Sequence, residues 1–258
     1  MSDKFLKITS LQRSPLFRSI LLAVCLWTTG SLPALAQARI AMIQYDADAN
    51  FGATSHNLEQ LKSLATQAAE SGAQIIILPE GSTHGYATPT EAWCLPQRSS
   101  CGKWSCRDIT PIAESVSKGP TARYWADFAS EHGVFVIYSI IEAQGQKFHN
   151  TIGVVGPQGF VTSYRKRVLY GPDFCYATPG QHPASFDTNQ GRFGLLICAD
   201  GTDDGLFQEY RRQGITSIIL PMDWDQSPDS NGGARRFFRQ KAGAHQVSIF
   251  VSDNPQWD

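Results

Sequence analysis

Two apolar runs constrain this chain more than any other feature: Gln74 to Pro79, QIIILP, and Phe193 to Ile197, FGLLI. Each has the length of a strand, and neither alternates with polar residues. Uninterrupted runs of this kind belong to strands covered on both faces, in sheets packed beneath other layers. The flanking pattern agrees. Ala38 to Tyr45 alternates as a strand, and Ser55 to Ser71 places Leu58, Leu61, Leu64, Ala65 and Ala68 on one helical face before Gly72. Pro120 to His132 reads as a helix, with proline in its first turn and Gly133 past its end. Val134 to Ile141 is a strand, and Phe148 to Val155 with Phe160 to Arg165 forms a hairpin around Gly156-Pro157-Gln158-Gly159. A helix at Asp204 to Arg212, a strand at Ser217 to Leu220, a helix at Gly233 to Gln246 and a strand at Ser248 to Ser252 complete the series. Strands alternating with helices predict an α/β protein with covered sheets.

The 258 residues are 42% hydrophobic, enough for one domain with a sizeable core. The net charge of -1 gives no sign of a basic nucleic-acid surface, so no nucleic-acid partner is predicted. The first 36 residues have a separate character. Lys4, Lys7, Arg13 and Arg18 precede the apolar stretch Ser19 to Thr29, and Pro33-Ala34-Leu35-Ala36 supplies small residues before a cut after Ala36. This is the pattern of a secretory signal peptide, which leaves a mature domain at 37–258, secreted or periplasmic. The apolar stretch falls short of the ~20 residues that span a bilayer, so no stable membrane span is expected after cleavage.

Export changes the cysteine arithmetic. Of six cysteines, Cys25 leaves with the leader, and Cys94, Cys101, Cys106, Cys175 and Cys198 remain. Five is odd, so in an oxidising compartment one thiol stays free, and Cys198 is the natural one. The other four can form two disulfides whose pairing the sequence leaves open. A zinc site from Cys94, Cys101 and Cys106 is the competing reading, but it lacks a CxxC pair or a nearby histidine.

Three predicted strands end on reactive side chains. IIILP runs into Glu80, FVTSYR into Lys166 and FGLLI into Cys198. Ligands in α/β sheets bind at the carboxyl ends of strands. Singly, Glu80 reads as a surface acid, Lys166 as part of the basic edge YRKR, and Cys198 as core. Together they are a base, a cation and a nucleophile. A cysteine attacks as its thiolate, favoured by a neighbouring base or cation. Lysine also supplies fixed charge where an oxyanion forms, and the Ala199 N–H just after Cys198 is a second donor. Thiol labelling separates the readings: a low-pKa Cys198 would alkylate readily near neutral pH, and a structural one would not. His84, His149 and His245 lack the context of a Cys-His enzyme. Arg235, Arg236, Arg239 and Lys241 form a basic helix that reads as a solvated face.

These blocks, IIILPEGSTHGY (Ile75 to Tyr86), FHNTIGVVGPQGFVTSYRKRVLYGPDFCYATPG (Phe148 to Gly180) and FGLLICADGTDDGLFQEYRRQGITSIILPMDW (Phe193 to Trp224), resemble the nitrilase superfamily, the carbon–nitrogen hydrolases with a Glu-Lys-Cys triad. The resemblance covers nearly all of Ala38 to Asn254. It implies a four-layer αββα sandwich and covalent catalysis on a small amide, with Glu80 as base, Cys198 as nucleophile, and Lys166 with Ala199 holding the oxyanion, and with no metal or organic cofactor. Many relatives carry a second glutamate after the lysine; here Asp173, in LYGPDF, is the nearest acid. Cys198-Ala199-Asp200 resembles the amidase-type members more than the nitrilases proper, so amides are preferred over nitriles. Trp224, Tyr86 and Tyr170 are the pocket-lining residues it suggests. Trp93 to Cys106, rich in cysteine and tryptophan, is expected near the pocket mouth as a disulfide-pinned lid. Location and disulfide use resemble the secreted biotinidase and pantetheinase branch. N-acyl transfer by the same triad and a non-catalytic homologue are the alternatives. Relatives pair through helices and tails, which makes a homodimer the expected assembly. A further hairpin and C-terminal segment usually follow the strand at Ser248 to Ser252, so that segment is expected to be short or missing here.

Overall fold

The computed structural model of the protein describes residues 39–224 and 233–253. The leader read at 1–36 and the last five residues lie outside the described residues. The first sheet holds β1 (Ile40–Met42), β2 (Ile75–Ile77), β6 (Phe135–Gln144), β7 (Lys147–Gly156) and β8 (Gly159–Arg165), in that spatial order. Its first three strands are parallel, and β6, β7 and β8 form an antiparallel meander. The second sheet orders β12 (Ser248–Ser252), β11 (Ser217–Pro221), β10 (Gly191–Leu195) and β9 (Ser185–Thr188). There β10, β11 and β12 are parallel, and β9 runs antiparallel at the edge.

The unbroken apolar runs are explained by two faces buried at once. Ile75 and Ile77 join the core shared with the second sheet, while Ile76 and Leu78 pack into a separate cluster with helix residues. That second cluster is closed by α1 (Thr54–Glu70), through Leu61 and Ala65, and by α2 (Pro120–His132), through Trp125, Phe128 and Ala129. On the second sheet, Phe193 stacks on Phe186, whose ring meets Phe135 of the first sheet. The opposite face lies under α3 (Asp204–Arg212) and α4 (Gly233–His245), with Phe207, Tyr210 and Phe238 buried. Gly194 sits there because a Cβ would come within 2.8 Å of the Tyr210 ring. The architecture is therefore the four-layer αββα sandwich.

A third sheet is absent from the sequence reading. It consists of β3 (Glu91–Cys94), β4 (Ser100–Cys101) and β5 (Trp104–Asp108), in the order β3-β5-β4. These strands are short and mixed in composition, so no period marks them. Cross-links hold them instead: Cys94 pairs with Cys106, and Cys101 pairs with Cys175. The zinc reading falls with this, since all three of its cysteines are engaged in disulfides and no metal-binding group occurs among the described residues. The edge strand β9 also escaped, being four residues long and only partly buried.

Candidate active site

Strands deliver reactive residues where their ladders end, because the backbone there leaves the sheet. Glu80 follows β2, Lys166 follows β8, and Cys198 opens a 3-10 turn at Cys198–Thr202 just beyond β10. The three belong to two different sheets and meet at one end of the sandwich. The side chains of Lys166 and Glu80 have no exposed surface, and Cys198 is 4% exposed. Lys166 Nζ lies 2.8 Å from Glu80 Oε1 and 2.6 Å from Asp173 Oδ2. Its third N–H reaches the Tyr86 hydroxyl at the longer distance of 3.4 Å. All three ammonium donors are thereby engaged.

Asp173 is carried by a second 3-10 turn, Gly171–Cys175, and its Oδ2 also accepts from Tyr170 N–H at 3.1 Å. It and Glu80 both contact the ammonium, so the buried lysine has two carboxylate partners. Asn150, on β7, ties those partners together: its Nδ2 donates to Glu80 Oε1 at 2.7 Å and to Asp173 Oδ1 at 2.9 Å. Sequence reasoning missed Asn150. Its only signal is a polar residue in the middle of a strand whose neighbours are buried.

Residue 223 also went unnoticed. Its N–H donates to Glu80 Oε2 at 3.0 Å, and its carbonyl lies 3.8 Å from Cys198 Sγ. One backbone unit thus touches both the base and the thiol. Cys198 has φ 43°, in the left-handed region that non-glycine residues rarely occupy. Such strain persists where surrounding contacts over-determine it, as at functional sites. Asp200 supplies those contacts. Its carboxylate accepts from the N–H groups of Ile197, Arg167 and Val168 at 3.0, 3.0 and 2.7 Å, and from the Tyr164 hydroxyl at 2.9 Å. The nucleophile turn is thereby clipped to the chain just after Lys166. Ala199 sits next in that turn, buried.

The electrostatics of the site follow from burial. Burial pushes the Cys198 thiol well above its ordinary value, and the Glu80 charge adds to this against Lys166. The resting thiol therefore keeps its proton. Burial also raises Glu80, with Lys166 opposing. For Lys166, burial acts downward, but the carboxylates of Asp173 and Glu80 prevail and hold it well above the usual range. A cationic lysine beside a protonated thiol and a raised carboxylate is suited to proton transfer during attack rather than to a standing thiolate.

A cavity of about 860 Å³ adjoins this cluster, and its lining includes Tyr86, Trp104, Tyr170, Phe174, Asp223 and Trp224. Tyr86 and Asp223 are the residues through which it meets Lys166 and Cys198. Tyr170 is 64% exposed, and its carbonyl accepts from the buried Tyr86 hydroxyl at 2.9 Å. Trp224 packs on the rings of Phe237 and Phe238. Cys101, Gly102 and Lys103 of the small sheet form another stretch of the wall. The histidines are engaged elsewhere: His84 Nδ1 contacts Gly85 O, His149 Nδ1 contacts Thr178 O, and His245 pairs with Asp204.

A two-sheet sandwich with glutamate, lysine and cysteine meeting at its strand ends is the architecture of the nitrilase superfamily. The carbon-nitrogen hydrolase family model matches residues 39–252, and the chain belongs to that family, whose members are enzymes acting on C–N bonds other than peptide bonds. Among curated proteins, it is 28% identical over 145 residues to a nitrilase of Pyrococcus abyssi, a match covering 56% of this chain and 50% of that protein. It is 26% identical over 229 residues to an omega-amidase of Xenopus laevis, covering 84% of this chain and 74% of that one. Among solved structures, an amidase of the nitrilase superfamily from Nesterenkonia AN1 superposes with a TM-score of 0.68 at 21% identity, covering 87% of this chain and 79% of that one. A Saccharomyces cerevisiae member of the superfamily gives 0.66 at 18% identity, covering 84% and 75%.

Proposed function

We propose that this protein is an exported thiol amidohydrolase that cleaves a small non-peptide amide through a Cys198 thioester. The observation that carries the reading is the buried Glu80–Lys166–Asp173–Asn150 network set beside a buried free thiol, with the cavity reached through Tyr86 and Asp223. Glu80 takes the Cys198 proton as sulfur attacks the amide carbonyl. The developing oxyanion draws the Lys166 N–H now given to Tyr86 at 3.4 Å, its weakest contact, together with the Ala199 N–H. Glu80 returns the proton to the departing amine or ammonia, then activates the water that releases the acid. Asp173 and Asn150 keep Lys166 charged and Glu80 oriented throughout. The omega-amidase and amidase names of the relatives favour amides over nitriles as substrates.

Export is supported by the leader pattern at 1–36 and by four cysteines joined in two disulfides, which persist in oxidising compartments. Intact mass after expression with the leader tests both parts. A chain beginning at Gln37, which gains one acyl group from a panel of small amides and loses that gain in Cys198→Ala, is the expected result. A wild type that neither acylates nor releases amine would sink the hydrolase reading. An unprocessed chain retained in the cytoplasm would sink export.

A further inference from the structure

The cavity beside the catalytic cluster is walled by groups that the thioester chemistry does not use. Rings and prolines supply much of that wall: Trp104, Tyr170, Phe174 and Trp224, with Pro89 and Pro172. Tyr170 and Phe174 are large side chains left 64% and 65% exposed, one just before the Gly171–Cys175 turn and one inside it. The same turn carries Asp173, which meets Lys166 at 2.6 Å. Trp104 faces this turn from the small sheet, its ring 4.0 Å from where a Cβ on Gly171 would lie. Its indole N–H donates to Thr88 O at 3.1 Å, and the Cys101–Cys175 disulfide joins β4 to the turn. Rings fixed in this way receive an apolar group at little ordering cost. Exposed aromatic surface at the mouth of a concave site marks ligand contact.

Polar atoms in the wall are committed to the protein itself. The Tyr86 hydroxyl donates to Tyr170 O at 2.9 Å, and Thr88 Oγ1 accepts from the N–H groups of Thr90 and Glu91 at 3.3 and 2.8 Å. Asp48 Oδ1 accepts from the N–H groups of Tyr86 and Ala87. Among the described residues, the charged types in the lining are two acids, Asp48 and Asp223, and one lysine, Lys103, whose ammonium lies over the Trp104 ring at 5.0 Å. A carboxylate on the substrate would find no cation in this wall beyond Lys103. We propose that the substrate is an amide carrying an uncharged aryl or similarly bulky apolar group, taken up against Trp104, Tyr170, Phe174 and Trp224. The inference rests on the amidohydrolase reading for turnover, and on the cavity alone for binding.

The test measures kcat/KM for two matched pairs, acetamide with 3-phenylpropionamide and N-methylacetamide with N-benzylacetamide, and for succinamic acid as the anionic comparator. In at least one pair the aryl amide should exceed its methyl partner about a hundredfold, and it should also exceed succinamic acid. Trp104→Ala and Phe174→Ala should each lower the aryl-to-methyl ratio about tenfold. Comparing that ratio between proteins cancels the intrinsic reactivity of the amides. Phe174 is largely exposed, so its variant keeps the test open if Trp104→Ala fails to fold. Binding is read separately in Cys198→Ala, where the aryl amide should quench tryptophan fluorescence saturably and acetamide should not. Hydrolysis with no aryl preference, a preference for succinamic acid, or an unchanged ratio in both variants would overturn the proposal and leave the amidohydrolase reading standing. Saturable aryl binding to Cys198→Ala, weakened by adding Phe174→Ala, with no amide hydrolysed by the wild type, would keep the apolar site and sink the amidohydrolase reading. Neither binding nor hydrolysis would overturn both.

Discussion

At the scale of single residues, the site is governed by what burial does to charge. Lys166 is an ammonium removed from water, tolerable because two carboxylates and a phenol take its donors. Lys166→Met should therefore do more than abolish turnover. It leaves Glu80 and Asp173 side by side without a cation, and urea denaturation should show a loss of about 3–5 kcal/mol. A stable Met variant would mean the pair is not the buried ion cluster described. Asp48 gives a pH effect of definite sign. Its folded value of about 6 stands above the ordinary 3.8, so the folded chain binds the proton more tightly than the unfolded chain. That contribution is full below 3.8 and is lost as pH rises through about 6. Asp48→Asn should consequently lose less stability than the wild type between those two values. An unchanged slope would contradict the shift. Glu80, Lys166 and Cys198 were legible in the sequence because each terminates a recognisable strand. Asn150 and the backbone of residue 223 were not, because their partners lie 70 and 143 residues away along the chain.

At the scale of elements, the nucleophile turn depends on a clip as well as on its strand. Asp200 gathers three backbone donors and the Tyr164 hydroxyl, and this holds Cys198 in its left-handed conformation. Asp200→Ala strands those buried donors at about 1–3 kcal/mol each, so denaturation should register a loss of several kcal/mol. Cys198 should also lose its selective reactivity toward small amides as the turn relaxes. A variant that retains acylation at the wild-type rate would show that the turn holds its shape without the clip. Helices α1 and α2 were readable from local signals, an apolar face on α1 and glycine stops after both, as where Gly133 adopts φ 67° after α2. The strands of the small sheet were not readable. Two to five residues of mixed polarity carry no period, and pairing and disulfides define them instead.

At the scale of the whole molecule, the small sheet matters through what it is fastened to. The Cys101–Cys175 disulfide closes a loop of 74 residues and anchors the cavity wall to the turn that bears Asp173. Replacing both cysteines by serine should cost about 2–4 kcal/mol. It should also raise KM for the preferred amide, because the wall containing Gly102, Lys103 and Trp104 is released. Thermal unfolding and steady-state kinetics on the double variant test this, and unchanged values of both would make the cross-link incidental. Among the described residues no helix is long and apolar enough to cross a membrane.

The sequence by itself determined the layers and the three reactive strand ends. Apolar periodicity is a local property, and so is the passage from a buried strand to a polar residue. It also determined that four cysteines could pair while Cys198 stayed free. Tertiary structure alone decided which cysteines joined and how the buried lysine is compensated. It decided that burial raises the Cys198 thiol, and that one backbone unit at residue 223 touches both Glu80 and Cys198. Those outcomes depend on distances between groups far apart along the chain and on their removal from water. Burial and proximity are set by packing, and no stretch of sequence records them.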